Sequence, residues 1–121
     1  MFASCITFKD YHTYESDIIG IWRNKEKVEG ERLLLYSFIE IKEGGNALHT
    51  EYTLLKNSSV PTDTLSYPFS YELKNDSIFF DLGDESEPYI EAYKIMHLSK
   101  NKMKLLFKEH EMTYRRVKKI N

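Results

Sequence analysis

The stretch Phe69-Ser70-Tyr71-Glu72-Leu73-Lys74-Asn75-Asp76-Ser77-Ile78-Phe79-Phe80-Asp81-Leu82 decides the fold. Phe69, Tyr71 and Leu73 alternate with polar partners, and Ile78, Phe80 and Leu82 resume the alternation after Asn75-Asp76. A period of two puts each apolar set on one side of an extended chain, and Asn and Asp accept the backbone angles of a tight reversal. The segment therefore reads as a β-hairpin with one buried face and one wet face.

Toward the N-terminus, Ile18 to Trp22, Leu33 to Ile41 and Ala47 to Leu55 are apolar runs of strand length. Lys42-Glu43-Gly44-Gly45-Asn46 separates the second from the third with residues that tolerate positive φ, so these two runs pair antiparallel. The polar stretch from Lys56 to Thr64 contains Pro61, which has no backbone donor, and reads as the longest loop. Toward the C-terminus, the acidic turn Gly83 to Pro88 leads into Tyr89 to Leu98, and Ser99-Lys100-Asn101 reverses the chain again. Met103, Leu105 and Phe107 then share a face, with Lys102, Lys104 and Lys108 on the other. After Glu109-His110-Glu111 the last strand carries Met112, Tyr114 and Arg116 on one face and Thr113, Arg115 and Val117 on the other. Asp17 and Glu15 favour a brief helical turn over Thr13 to Ile18.

The runs add up to roughly eight strands. Mostly short connections favour an all-β, single antiparallel up-and-down barrel, because closure removes the edge strands that template aggregation. A two-sheet sandwich needs long crossing connections, and only Lys56 to Thr64 offers one. Residues 1–16 read as an N-terminal tail or tether and 17–121 as the barrel domain.

Composition narrows the function. Seventeen Lys and Arg against nineteen Asp and Glu give a net charge of -2 over 121 residues, so no global positive field draws the chain to nucleic acid. From Lys100 onward the balance is basic, but Lys102 and Lys104 alternate with Met103 and Leu105 as a solvated outer face does. No uninterrupted apolar run reaches the about 18 residues of a membrane-spanning helix. One cysteine rules out an internal disulfide framework. His12, His49, His97 and His110 are scattered without metal-ligand spacing, and the acidic run Asp81, Asp84, Glu85, Glu87 lacks the order of a calcium loop, so neither a metal nor a cofactor is expected. Nucleophile elbow, P-loop and dinucleotide fingerprint are missing from the sequence, and a non-catalytic role is expected.

Gly20-Ile21-Trp22 in the first strand and Tyr114-Arg115-Arg116 in the last resemble the signature of the lipocalins and of small bacterial lipocalin-like domains. Tyr93-x-Ile95, Leu98, Asn101, Met103 and Leu105 are similar to the penultimate hairpin of the bacterial group. The resemblance implies that Gly20 opens the first strand, that Trp22 closes the bottom of the barrel, and that Arg116, or else Arg115, lies across its ring. It also implies a binding module for a small hydrophobic or amphiphilic ligand. Nine Tyr and seven Phe suit such a role, with Tyr52, Tyr71, Phe80, Tyr93 and Phe107 as the candidate lining. The alternative is a filled barrel, packed by Tyr36, Phe38, Phe69, Tyr71, Phe80, Tyr93 and Phe107, that meets a protein partner through loops or strand faces.

Phe2-Ala3-Ser4-Cys5 resembles the end of a bacterial lipoprotein signal, in which small residues precede a lipidated cysteine. That likeness implies a lipid on Cys5, a polar tether from Ile6 to Ser16, and a place in the cell envelope or periplasm. The other reading is a lone thiol in a loose tail of a cytoplasmic protein.

Overall fold

The structure, a computed structural model, describes residues 17–27, 33–55 and 60–120. Eight strands follow one another: β1 (Gly20–Lys27), β2 (Leu33–Ile41), β3 (Asn46–Leu55), β4 (Thr62–Lys74), β5 (Ser77–Asp81), β6 (Ile90–Leu98), β7 (Lys102–Phe107) and β8 (His110–Val117). Each pairs antiparallel with the next, and β8 returns to β1, which closes the barrel. Closure rests on a short seam, Ile21↔Val117, Trp22↔Arg116 and Arg23↔Arg115.

Register fixes which side chains point inward. Trp22 stands opposite Ile39, Ile39 opposite His49, and His49 opposite Tyr67, so these four share the interior face. By the same rule Leu73 and Ile78 share it, as do Ile95 and Leu105, and Met103 and Tyr114. The core is built where these positions meet: Ile18, Trp22, Ile41, Ile78, Met103 and Leu105 are fully enclosed, and Ile39, Phe80, Ile95 and Tyr114 pack with them. Each such side chain contributes about 1.5–3 kcal/mol by leaving water.

The hairpin over Phe69 to Leu82 forms as its alternation demands, with Leu73↔Ile78 and Lys74↔Ser77 flanking the turn and Asn75 at φ 59. Three other expectations need correction. The first apolar run gives only the start of β1, which continues through Arg23-Asn24-Lys25-Glu26-Lys27 by pairing with β2. The loop assigned to Lys56 through Thr64 is shorter, because β4 begins at Thr62. There a register shift between Glu51 and Thr53 sits beside Asp63 at φ 52, and the Thr53 and Thr62 hydroxyls approach to 2.9 Å, so side-chain hydrogen bonds carry a pairing that hydropathy does not show. Lys108 does not continue the outward row of Lys102 and Lys104: it sits in the β7–β8 turn at φ 57, with its Nζ 5.3 Å from the Phe107 ring centroid. Of the expected helical turn, only Asp17, which is helical, and Ile18, at a bend, are described.

Candidate functional site

The two ends of the barrel differ in chemistry. At the end holding the β3–β4, β5–β6 and β7–β8 connections, the interior face of five consecutive strands carries an arc of rings. His49 and Tyr67 lie 5.0 Å apart between centroids, Tyr67 and Phe69 6.4 Å, Phe69 and Phe80 5.2 Å, Phe80 and Tyr93 5.0 Å, and Tyr93 and Phe107 4.8 Å. These separations are those of offset or edge-on aromatic pairs. Phe80 is buried and packs into the core below, whereas Phe69, Tyr93 and Phe107 are partly buried and Tyr67 is 39% exposed, so the arc rises from the core toward solvent.

Two carboxylates stand among these rings. Glu91 accepts hydrogen bonds from the Tyr93 hydroxyl at Oε1 and from the Tyr89 hydroxyl at Oε2, both at 2.7 Å. Glu51 lies 3.4 Å from His49 Nε2 through its Oε2. Burial, and then the hydrogen bond it donates to the Glu91 carboxylate, push the Tyr93 phenol far above the ordinary tyrosine range. Tyr67 is raised as well, by burial first and then by Glu51 and Glu91, so both carboxylates act on the same phenol. Among the described residues, neither glutamate has a Lys or Arg within ion-pair distance.

The other end is sealed by Trp22 and Arg116. The guanidinium carbon of Arg116 sits 4.3 Å from the indole centroid. Arg116 donates from Nη1 to the Ile19 carbonyl at 2.6 Å, from Nε to the Lys100 carbonyl at 2.6 Å, and from Nη2 to the Asp17 carbonyl. Trp22 Nε1 donates to the Ile18 carbonyl at 2.8 Å, so the buried indole leaves no orphan donor. Gly20, at φ +143, has a conformation that side chains rarely adopt, and a Cβ there would run into the Arg116 guanidinium. Arg115 faces the outside, opposite Arg23 and Lys102.

The chain is similar to a solved lipocalin-like protein from Bacteroides uniformis. The two superpose with a TM-score of 0.58 at 18% identity, over 84% of this chain and 100% of the other. The fold is lipocalin-like. No protein-family model matches the sequence, and no curated protein matches it.

Within this lipocalin-like barrel the candidate lining residues separate into three groups. Phe80, Tyr93 and Phe107 come together in the arc. Tyr52 does not join them, because it stands opposite Tyr36 on the outer face, stacked at 5.3 Å on Tyr36 and 5.7 Å on Phe38. Tyr71 lies at the sealed end, where its hydroxyl donates to the Lys42 carbonyl at 2.6 Å. Tyr36 and Phe38 therefore do not fill the barrel either: Phe38 pairs with Arg23, one position out of phase with the inward Trp22↔Ile39 pair. The residues that sequence reasoning missed are His49, Glu51, Tyr67 and Glu91. Their signal is parity, since His49 and Glu51 follow Ala47, which opposes inward Ile41, at intervals of two.

The remaining candidates that fall on described residues sit in turns and on exposed strand faces. His97 and His110 are exposed, and among the described residues no three His, Cys, Asp or Glu side chains are placed to hold a metal ion. In the acidic turn, Asp84 Oδ1 accepts from the Ser86 hydroxyl at 2.8 Å, the Glu87 amide at 2.8 Å and the Ser86 amide at 2.9 Å, and these bonds, the hydroxyl's foremost, lower its pKa. Cys5, His12 and the segment from Ile6 to Ser16 lie outside the described residues.

Proposed function

We propose that this chain is a non-catalytic binding module that takes a small hydrophobic or amphiphilic ligand at the end of the barrel opposite Trp22. The observation that carries this reading is the arc from Tyr67 to Phe107, in which aromatic faces remain partly open to solvent above a packed core. Rings held in place by a barrel provide apolar area at little entropic cost, and the phenols and glutamates at the rim supply the few polar groups that orient a ligand. Native extraction with organic solvent followed by mass spectrometry, together with a thermal-shift panel of hydrophobic ligands, tests it. Saturable stabilisation that Phe69→Ala or Phe107→Ala abolishes supports the reading; no co-purifying molecule and no saturable shift sinks it.

A second reading is favoured by the outer face. Half-buried Tyr36 stacks there on buried Phe38 and Tyr52, and a hollow of about 250 Å³ lined by Arg23, Phe38, Tyr52, Val117, Lys118 and Lys119 opens beside them. A barrel serving as an interaction domain would meet a protein partner on such a face, and pull-down with a Tyr36→Ser variant as the control separates this role from ligand binding.

We also propose a place in the bacterial cell envelope, through a lipid on Cys5. The sequence Phe2-Ala3-Ser4-Cys5 supports it. Codons upstream of Met1 that encode a basic start and an apolar stretch support export, and an in-frame stop there leaves the protein in the cytoplasm.

A further inference from the structure

We infer that the ligand of the aromatic end carries a positively charged amine. This rests on the binding role proposed above and names the chemistry of its head group.

Two carboxylates at the aromatic end lack an ammonium or guanidinium partner among the described residues. Glu51 and Glu91 stand on the interior face of β3 and β6, and among the described residues no Lys or Arg forms an ion pair with either. A carboxylate drawn partly out of water gains most from a cation that reaches it, and an apolar or anionic ligand would cover these groups with only their phenol and imidazole contacts and no ammonium or guanidinium to balance the charge. Glu91 is held ready for such a contact. Two phenols fix its orientation, one on each oxygen at 2.7 Å, and each carboxylate oxygen keeps capacity for a further donor. Glu51 meets His49, which packs on Tyr67 at 5.0 Å between centroids, and Glu91 meets Tyr93, which packs on Phe80 at 5.0 Å, so the two carboxylates flank one arc of rings at the mouth.

The rings point to the same chemistry. A cation is attracted to the face of a Tyr or Phe within about 6 Å of the centroid. The chain itself already places one there, since Lys108 Nζ lies 5.3 Å from the Phe107 ring at the end of the arc. Rings that accept the protein's own ammonium, next to carboxylates that have none, form a site for an ammonium brought in from outside. An amine on a planar or aliphatic body would lay the body along the partly open rings of Phe69, Tyr93 and Phe107 and present its head to Glu91 and Glu51.

Three probes that share one ring system and differ in head group test this: tryptamine, its neutral alcohol analogue tryptophol, and the anion indole-3-propionate, titrated calorimetrically at neutral pH. Tryptamine is expected to bind about tenfold more tightly than tryptophol, with the propionate weakest. Glu91→Gln keeps one oxygen acceptor for a phenol and turns its amide N–H toward the other, and Glu51→Gln keeps one for His49, so an unchanged thermal midpoint serves as the fold control, while the tryptamine preference over tryptophol should shrink in each. Lys108→Met, which removes the competing cation, should strengthen tryptamine. Equal affinity for the three probes overturns the amine assignment and leaves the binding role standing. A preference for tryptamine unchanged by both glutamine substitutions overturns the assignment to Glu51 and Glu91. No binding of any probe overturns the amine assignment, and the binding role falls with it only if the hydrophobic panel is also negative.

Discussion

The guanidinium of Arg116 lies over the indole of Trp22 at 4.3 Å, and the same guanidinium bonds backbone carbonyls on both sides of the barrel's seam. The first strand and the last are thereby fastened by one side chain. Trp22 is fully enclosed, so Trp22→Ala should destabilise the fold by about 3–5 kcal/mol, read as a lowered urea midpoint with an unchanged slope. A loss below about 1 kcal/mol would mean that the indole does not plug the barrel.

Gly20→Ala should cost about 1–3 kcal/mol, because the backbone there sits at φ +143 and the new methyl meets Arg116. A double-mutant cycle with Arg116→Met separates the two causes. The part due to collision disappears when the guanidinium is gone and the backbone part survives; strict additivity contradicts the collision.

Tyr71→Phe removes the donor to the Lys42 carbonyl and should cost about 0.5–1.5 kcal/mol in thermal or urea unfolding. Ligand affinity should not change, since Tyr71 belongs to the sealed end. Weakened binding in this variant would argue that the two ends share one cavity.

The pH dependence follows from Tyr93. Its phenol titrates above the ordinary 10.0 in the folded chain, so the unfolded chain loses this proton first. The contribution is fully present below about pH 10 and declines as the pH climbs toward the folded value. Stability measured from pH 9 to 11.5 should fall less steeply in Tyr93→Phe than in the parent, and equal slopes would show that the phenol ionises freely.

What the sequence displayed and what it hid have separate physical causes. The hairpin of Phe69 to Leu82 was legible because one face is apolar and the other is not, which makes the period of two visible. Leu33 to Ile41 has apolar residues at both parities, so Phe38 and Ile39 cannot be assigned to faces without the pairing to β1. Trp22 and Arg116 could be placed because each stands in a short motif at a known end of the barrel. Glu51 and Glu91 were hidden for the opposite reason, since a charged residue in a strand is expected on the wet face. Only the register turns them inward. Tyr52 and Tyr71 misled because a tyrosine suits an interior, an exterior or a turn equally well.

The pairing of β8 with β1 has a consequence for how the protein is made. Every other strand pair joins neighbours along the chain, whereas Arg116 bonds a carbonyl 97 residues away. On a ribosome, β1 through β7 can form local hairpins as they emerge, but Trp22 has no lid and β1 has a bare edge until β8 leaves the exit tunnel. A stall between Phe107 and Arg116 leaves a seven-strand sheet with two open edges, the kind of intermediate that pairs with its own copies. The few residues around Arg116 thus set the moment at which a growing chain stops being a hazard to its neighbours.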